Sequence, residues 1–534
     1  MRVFRSPLLV AVAMTAVVAV SPALAGGPPS NIGSASSYGL DKNFTLVGYT
    51  SLGERGMNSP VAVAGRCVYV GDRYYGSVRP GGGVAVVDAS DPAHPREVGT
   101  IPPVANSTQR ELRADAGLGV LVVESYDPNL GDGVTGPSVN NLKIYDIRNC
   151  LHPKLLSTFD FGARDPHEFF LWKDRSHPGR ALAYVTFTIF KPDLMVIDLT
   201  DPARPTLVGA YDLGADAAYN TQNVVDESGS GYVHSISVSD DGTRALVSDW
   251  DWGFYELDTS LLAHPPAQAA GVNAAVVKPV SPLPLQYGHD VHSAVQVPGR
   301  PFVVLGQEDY ANAGRGCPFG WMRLADVSNP ASPRLVGTFK IPENNPSTCG
   351  KKNGTFSMHN QTPFRDVVLA SWYSGGLRAV DIANPAHPFE DGAFVPQPTF
   401  TPALRDDRLF FPAHPQPGLL PTDTSRGSSS ADPWTGSMWS YPVVQNGLIY
   451  VVDIDLGLYI LRYTGPHANE VATAAFVEGN SSPSRYSAAT RPIVRPAAQW
   501  TLIDAQTVAG PRLILAPYRT SSYRLAAAHG FICL

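Results

Sequence analysis

The sequence carries little charge for its size: Asp, Glu, Lys and Arg make up 16% of its 534 residues, and they sum to a formal −7. Without a basic excess there is no electrostatic footprint for nucleic acid or an anionic membrane surface, and neither is expected as a partner. Long apolar runs are also missing. Beyond the first 25 residues none approaches the roughly 20 that a membrane-spanning helix needs. No glycine-rich phosphate loop leads into a helix, and neither the Gly-x-Ser-x-Gly elbow of hydrolases nor a paired Cys-x-x-Cys motif occurs. The run Gly81-Gly82-Gly83 precedes a strand and reads as a turn. Cysteine is scarce, with only Cys67, Cys150, Cys317, Cys349 and Cys533. In an exported chain these five could form two disulfides and leave one thiol; Cys67–Cys150 and Cys317–Cys349 are the pairings expected, although spacing does not decide connectivity.

Export is what the first residues predict. Arg2 and Arg5 precede an apolar stretch, Pro7 to Val20, and Ala23-Leu24-Ala25 has the small residues of a cleavage site, so residues 1–25 read as a signal peptide. The mature product, starting near Gly26, is expected to be secreted or extracytoplasmic. Glycine and proline are plentiful, at 49 and 48 residues, and β-branched and aromatic residues abound. That composition suits many short strands joined by tight turns, an all-β chain.

One phrase recurs: Val84 to Thr100 (VAVVDASDPAHPREVGT), Leu194 to Ala210 (LMVIDLTDPARPTLVGA), Met322 to Thr338 (MRLADVSNPASPRLVGT) and Leu377 to Ala393 (LRAVDIANPAHPFEDGA). Leu142 to Thr158 (LKIYDIRNCLHPKLLST) is a variant with Cys150 in place of proline, and Gly253 to Ser260 keeps only the first half. Each phrase is a strand ending at aspartate, an Asp/Asn-Pro turn and a returning strand with glycine. The anchoring aspartates, Asp88, Asp146, Asp198, Asp258, Asp326 and Asp381, stand 52 to 68 residues apart, enough for a four-stranded propeller blade. Seven apolar strands precede these hairpins, the last being Tyr450 to Asp453. The seventh unit lacks its returning strand, whereas Thr45 to Leu52 is a returning strand without a unit. The expected fold is therefore a seven-bladed β-propeller closed by pairing of the N-terminal strand with the last blade.

These phrases resemble the LVIVD repeat family of bacterial propellers, and the resemblance implies fold without a shared activity. The expected limits are a linker at 26–43, the propeller at 44–466 with a long insertion loop at 394–439, and a weakly ordered tail at 467–534. The insertion is either an excursion or a loop capping one face.

Four histidines occupy one position of the repeat in four successive units: His167 (HEFFLW), His234 (HSISVS), His292 (HSAVQV) and His359 (HNQTPF). The first strand of a blade lines the central channel, so these positions should converge on the axis. The antiparallel second strand brings Asp72, Glu124, Asp249, Glu308 and Asp453 towards the same mouth. Imidazoles with carboxylates around them suit one transition metal ion, Cu, Fe or Zn, with Glu124, Asp249 or Glu308 orienting the rings and Glu308 or Asp249 as the candidate general base. A wet channel in which histidines bond water and backbone explains the same pattern without a metal. His289 could join the site or merely start the strand. Trp250 and Trp252 either line a pocket or pack, and His94, His152 and His387 belong to exposed turns. The arrangement is similar in architecture to selenium-binding protein/methanethiol oxidase and to carotenoid oxygenases, propellers with metal-holding axial histidines. Their extended motifs are absent here, so no residue role carries over.

Two readings follow. One is a secreted, monomeric binding propeller for a small molecule, glycan or protein. The other is an extracytoplasmic metal-dependent oxidoreductase or lyase using the histidine ring.

Overall fold

Runs such as Val84–Asp88 and Leu194–Asp198 are apolar and β-branched along their length, the pattern of strands covered on both faces. Each ends at an aspartate because its carboxylate accepts the N–H two residues on, turning the chain: Asp88 takes it from Ser90, Asp198 from Thr200, Asp326 from Ser328 and Asp381 from Ala383. The computed structural model describes residues 39–73, 82–104, 107–126, 139–187, 192–212, 233–250, 252–264, 273–276, 278–280, 285, 290–309, 319–345, 356–397, 437–479 and 503–504. The signal segment, Cys317, Cys349, Cys533, His289 and most of the 394–439 insertion lie outside them.

Seven antiparallel sheets form the blades. From the axis outwards, blade one is Asn58–Ala64, Cys67–Asp72, Val84–Asp88 and Arg96–Ile101, and blade two is Thr108–Asp115, Val120–Tyr126, Asn141–Asp146 and Lys154–Asp160. Blade three runs from Pro166–Lys173 to Thr206–Tyr211, blade four from Val233–Val238 to Lys278–Pro279, blade five from Val291–Gln296 to Arg334–Phe339, and blade six from Gln361–Pro363 to Phe389–Val395. Blade seven takes Val443–Gln445, Leu448–Asp453 and Gly457–Tyr463 from the end of the chain and Phe44–Thr50 from its beginning, antiparallel with Phe44 opposite Tyr463. The expected all-β, seven-bladed ring and its closure are both present. Apolar clusters fill the spaces between neighbouring blades, for example Phe170, Tyr184, Val247 and Tyr255 between blades three and four. Among the described residues no helix is long and apolar enough to cross a membrane.

The glycine of the repeat has a packing reason. A Cβ on Gly48 would lie 1.9 Å from the carbonyl oxygen of Pro92 in the next blade's turn, and one on Gly337 equally close to that of Pro385. The outer strand thus presses its backbone against the following turn. Blade two has Ser157 at this position, and its hydroxyl donates to the Pro202 carbonyl at 2.6 Å. Blade one faces the variant turn with Cys150, and nothing lies within 4 Å of a Cβ on Gly99. There a disulfide joins the two blades instead, Cys67–Cys150, as paired from the sequence.

The edges depart from the expected limits. Leu40–Lys42, inside the expected linker, adds an edge strand to blade six, and Asn43, in the left-handed region at φ 57°, steps the chain to blade seven. Past the expected end at Pro466, Ala468–Ala472 is helical and Phe476–Glu478 pairs with Val443–Gln445. This last strand has an axial neighbour to pair with, which periodicity cannot foresee. It reaches across the channel: Lys173 of blade three lies over the Phe476 ring at 5.5 Å, and the Gly479 N–H donates to Thr362 of blade six at 3.1 Å.

Gly48→Ala and Gly337→Ala are expected to lose about 1–3 kcal/mol through overpacking, and Gly99→Ala to change stability by no more than about 0.5 kcal/mol, as read by urea unfolding. Cys150→Ser should cost about 2–5 kcal/mol, and reductant should lower the melting temperature of the wild type by more than that of this variant.

Candidate functional site on the propeller axis

The innermost strands do not run in regular alternation. In blades two to five the pairing register skips beside Arg110, at His167-Glu168, at His234 and at His292, and in blade one it skips at Ser59-Pro60. Such bulges re-aim side chains and commonly sit beside functional sites. Here they turn Arg110 and three of the histidines inwards. His359 lies just before the short strand Gln361–Pro363, and its N–H bonds to the Ser371 carbonyl.

The four imidazoles form a continuous row, with ring centroids 4.2 Å apart for His167–His234 and 4.1 Å for both His234–His292 and His292–His359. All four are buried. Backbone carbonyls of the row are held by the preceding blade: that of His167 by Arg110, that of His234 by Thr186 and that of His359 by Ser293. Burial, reinforced by neighbouring rings and guanidinium groups, holds every one of these histidines well below its ordinary pKa and therefore neutral.

The nitrogens differ in what they do. Nε2 of His167 faces an N–H of Arg110 and, at 2.8 Å, Nε2 of His234. A guanidinium can only donate, so His167 presents its lone pair there and the proton between the rings sits on His234. His359 gives its Nδ1–H to the Trp439 carbonyl at 2.7 Å, which leaves the Nε2 lone pair without a hydrogen bond among the described residues. Neither ring nitrogen of His292 makes one, although the His359 backbone partly offsets the fall in its pKa. Glu308 stands between these two rings, 3.6 Å from Nε2 of His292 and 3.4 Å from that of His359, and Glu168 is 3.9 Å from His292. His292, Glu308 and His359 form one group of donor atoms within 4.8 Å of one another; Glu168, His234 and His292 form another.

Of the carboxylates expected at this mouth, Glu308 is in the cluster, its Oε1, the oxygen nearer His359, also accepting the Tyr373 hydroxyl. Burial pushes its pKa up to about 8 against the opposing Tyr373 bond and the charges of Arg110 and Arg73. Glu124 is buried near Arg110 and Glu168, with no hydrogen bond to either oxygen among the described residues. The Asp249 carboxylate accepts the Trp252 N–H at 3.0 Å and so caps its own turn. Asp72 and Asp453 likewise cap turns through Gly83 and through Asp455 and Leu456. A carboxylate at a strand end is drawn to the bare N–H groups of the turn that follows. Of the four expected ligand histidines, His167 turns to the cluster a nitrogen that faces the Arg110 guanidinium. Trp250 packs on His234 with centroids 5.0 Å apart, whereas Trp252 belongs to the apolar core; His94, His152 and His387 are exposed.

Besides Glu168 and Tyr373, three further contributors are not in the sequence-based set. Arg110 occupies in blade two the place of the histidines, as aligning Gln109-Arg110-Glu111 with Val233-His234-Ser235 shows. Arg73 follows the second strand of blade one and lies 4.6 Å over the Trp439 ring. Trp439 comes from the end of the long insertion and stacks beside His359 and Tyr373.

A seven-bladed propeller with a buried polar cluster on its axis is the class that fold and site define. The repeat itself matches the LVIVD repeat over residues 55–101, 183–213, 323–340 and 372–395, four segments of this seven-bladed β-propeller. Solved structures similar in fold include Sqt1 from Chaetomium thermophilum, at 14% identity over 80% of this chain and 99% of that one, with a TM-score of 0.43. The same protein bound to the N-terminus of the ribosomal protein L10 is similar at 13% identity, covering 78% and 99%, with a TM-score of 0.42. The β-propeller domain of Cps50 (Swd1) from Myceliophteria thermophila is similar at 10% identity over 76% and 97%, with a TM-score of 0.41. No curated protein matches the sequence.

Burial raises the Glu124 pKa from its ordinary 4.5 to about 8. Between these values the folded chain keeps a proton that the unfolded chain has released, so the penalty on folding grows as pH rises and levels off above about 8. Glu124→Gln should therefore melt with the wild type near about pH 5 and increasingly above it towards about pH 8.5, a difference that fluorimetric melting across pH would reveal.

Proposed function

We propose that the chain works outside the cytoplasm as a binding propeller whose axial cluster holds one transition metal ion and presents it to a small ligand. The observation that carries this is His292. It is a buried imidazole with no hydrogen bond among the described residues, set beside the open Nε2 of His359 and the carboxylate of Glu308. Leaving a buried polar group unpaired costs about 1–3 kcal/mol, and a metal ion removes that cost for three residues together. Two imidazoles and a carboxylate are a donor set used for iron and zinc, and His359 is already oriented through its Nδ1–H on a carbonyl. His292, Glu308 and His359 would hold the ion, with His234 and Glu168 next to them. Bound there, the ion would supply a Lewis-acidic centre at the end of the pocket. The interblade disulfide supports an oxidising compartment, as do the signal-like first residues.

The test is metal content by mass spectrometry on the mature protein without a His tag, before and after incubation with iron, copper or zinc. About one equivalent is expected in the wild type and in His167→Ala, falling by about tenfold or more in His292→Ala and His359→Ala. A folded wild type that takes up none of the three metals, or His292→Ala and His359→Ala variants that keep the metal, would overturn the reading and favour a metal-free binding module.

A further inference from the structure

Arg73 is a buried cation, 6% exposed, and among the described residues its guanidinium makes no hydrogen bond and no ion pair; it lies against the face of Trp439. A guanidinium has five N–H donors and cannot give up its charge at physiological pH. Burial, reinforced by the charge of a second cation, Arg110, pushes the Arg73 pKa down to about 10. The pair faces the histidine row: Arg110 donates to His167, and the charge of Arg73 is felt at His167, His292 and His359. Two buried positive groups at the two ends of the histidine row, Arg110 on His167 and Arg73 on the Trp439 ring that stacks on His359, the latter with no hydrogen bond among the described residues, form a receptor for an anion.

We infer that Arg73 and Arg110 form a carboxylate site beside the histidine cluster, taking the acid group of a small organic acid. The inference deepens the proposed function by naming its ligand class; it rests on the axial pocket being the binding site and not on a metal being present. The Trp439 face fixes the plane of the Arg73 guanidinium, and that flat fork matches the two oxygens of a carboxylate. Three buried glutamates, Glu124, Glu168 and Glu308, line the same region and disfavour a dianion more than a monoanion. Imidazole and indole rings offer the remainder of the acid a flat, weakly polar wall.

The test is calorimetric titration of the full mature protein with benzoate and acetate, and in parallel with sulfate and phosphate, on chelator-treated and zinc-incubated samples. Carboxylate binding is expected in both samples, weakened by about tenfold or more in Arg73→Gln and by less in Arg73→Lys. Because Arg73→Gln removes an unpaired buried charge, its melting temperature without ligand should equal or exceed that of the wild type, which separates lost binding from lost folding. Absence of carboxylate binding to either wild-type sample would overturn the inference, as would undiminished binding to Arg73→Gln. Tighter binding of phosphate or sulfate than of either carboxylate would overturn the assignment of ligand class. Binding in the chelator-treated sample alongside failed metal uptake would support the carboxylate site while the metal reading fell separately.

Discussion

A regular β-strand shows alternate side chains to opposite faces, so a strand lining a channel has little freedom over what it directs at the axis. The inner-strand bulges supply that freedom. In blades two to five the extra residues carry Arg110, His167, His234 and His292 out of alternation, while the flanking apolar residues keep their places between blades. Without the bulges the same sequence would send these polar groups into the interblade core. The pinning of backbone carbonyls by Arg110, Thr186 and Ser293 of the preceding blade then makes each histidine's position depend on its neighbour, so the row is set by the ring as a whole.

Burying so many ionisable groups together has electrostatic consequences. The imidazoles are kept neutral, the glutamates are pushed towards their protonated forms, and the arginines retain their charge. Such an interior is poorly arranged for its own stability and well arranged for ligands of both signs. A cation suits the side with His292, His359 and Glu308, and an anion suits the side with Arg73 and Arg110.

Much of this was legible in the sequence because repeats expose it. The aspartate and Asp/Asn-Pro pattern marks each hairpin, the unmatched strands at 45–52 and 457–463 point to closure, and four histidines at one repeat position point to the axis. Less visible were groups whose chemistry is ambiguous outside the fold. Asp249 and Glu308 both end second strands, yet one caps a turn and the other faces the rings; only the local backbone decides between them. Arg110 stands in the histidine register but is not a metal-ligating residue type, so a search for ligands passes over it. Trp439 and Phe476–Glu478 reach the axis through loops with no periodicity to read.

Two strands near the start of the chain are shared between two blades, Leu40–Lys42 on blade six and Phe44–Thr50 on blade seven. During synthesis these strands appear first, yet their partners appear near the end. Blade seven, and with it the ring, stays incomplete until almost the whole chain exists, with strand edges open to other chains. A helper that shields those edges, or a slow step late in synthesis, would govern the yield of folded protein more than the strength of any single blade.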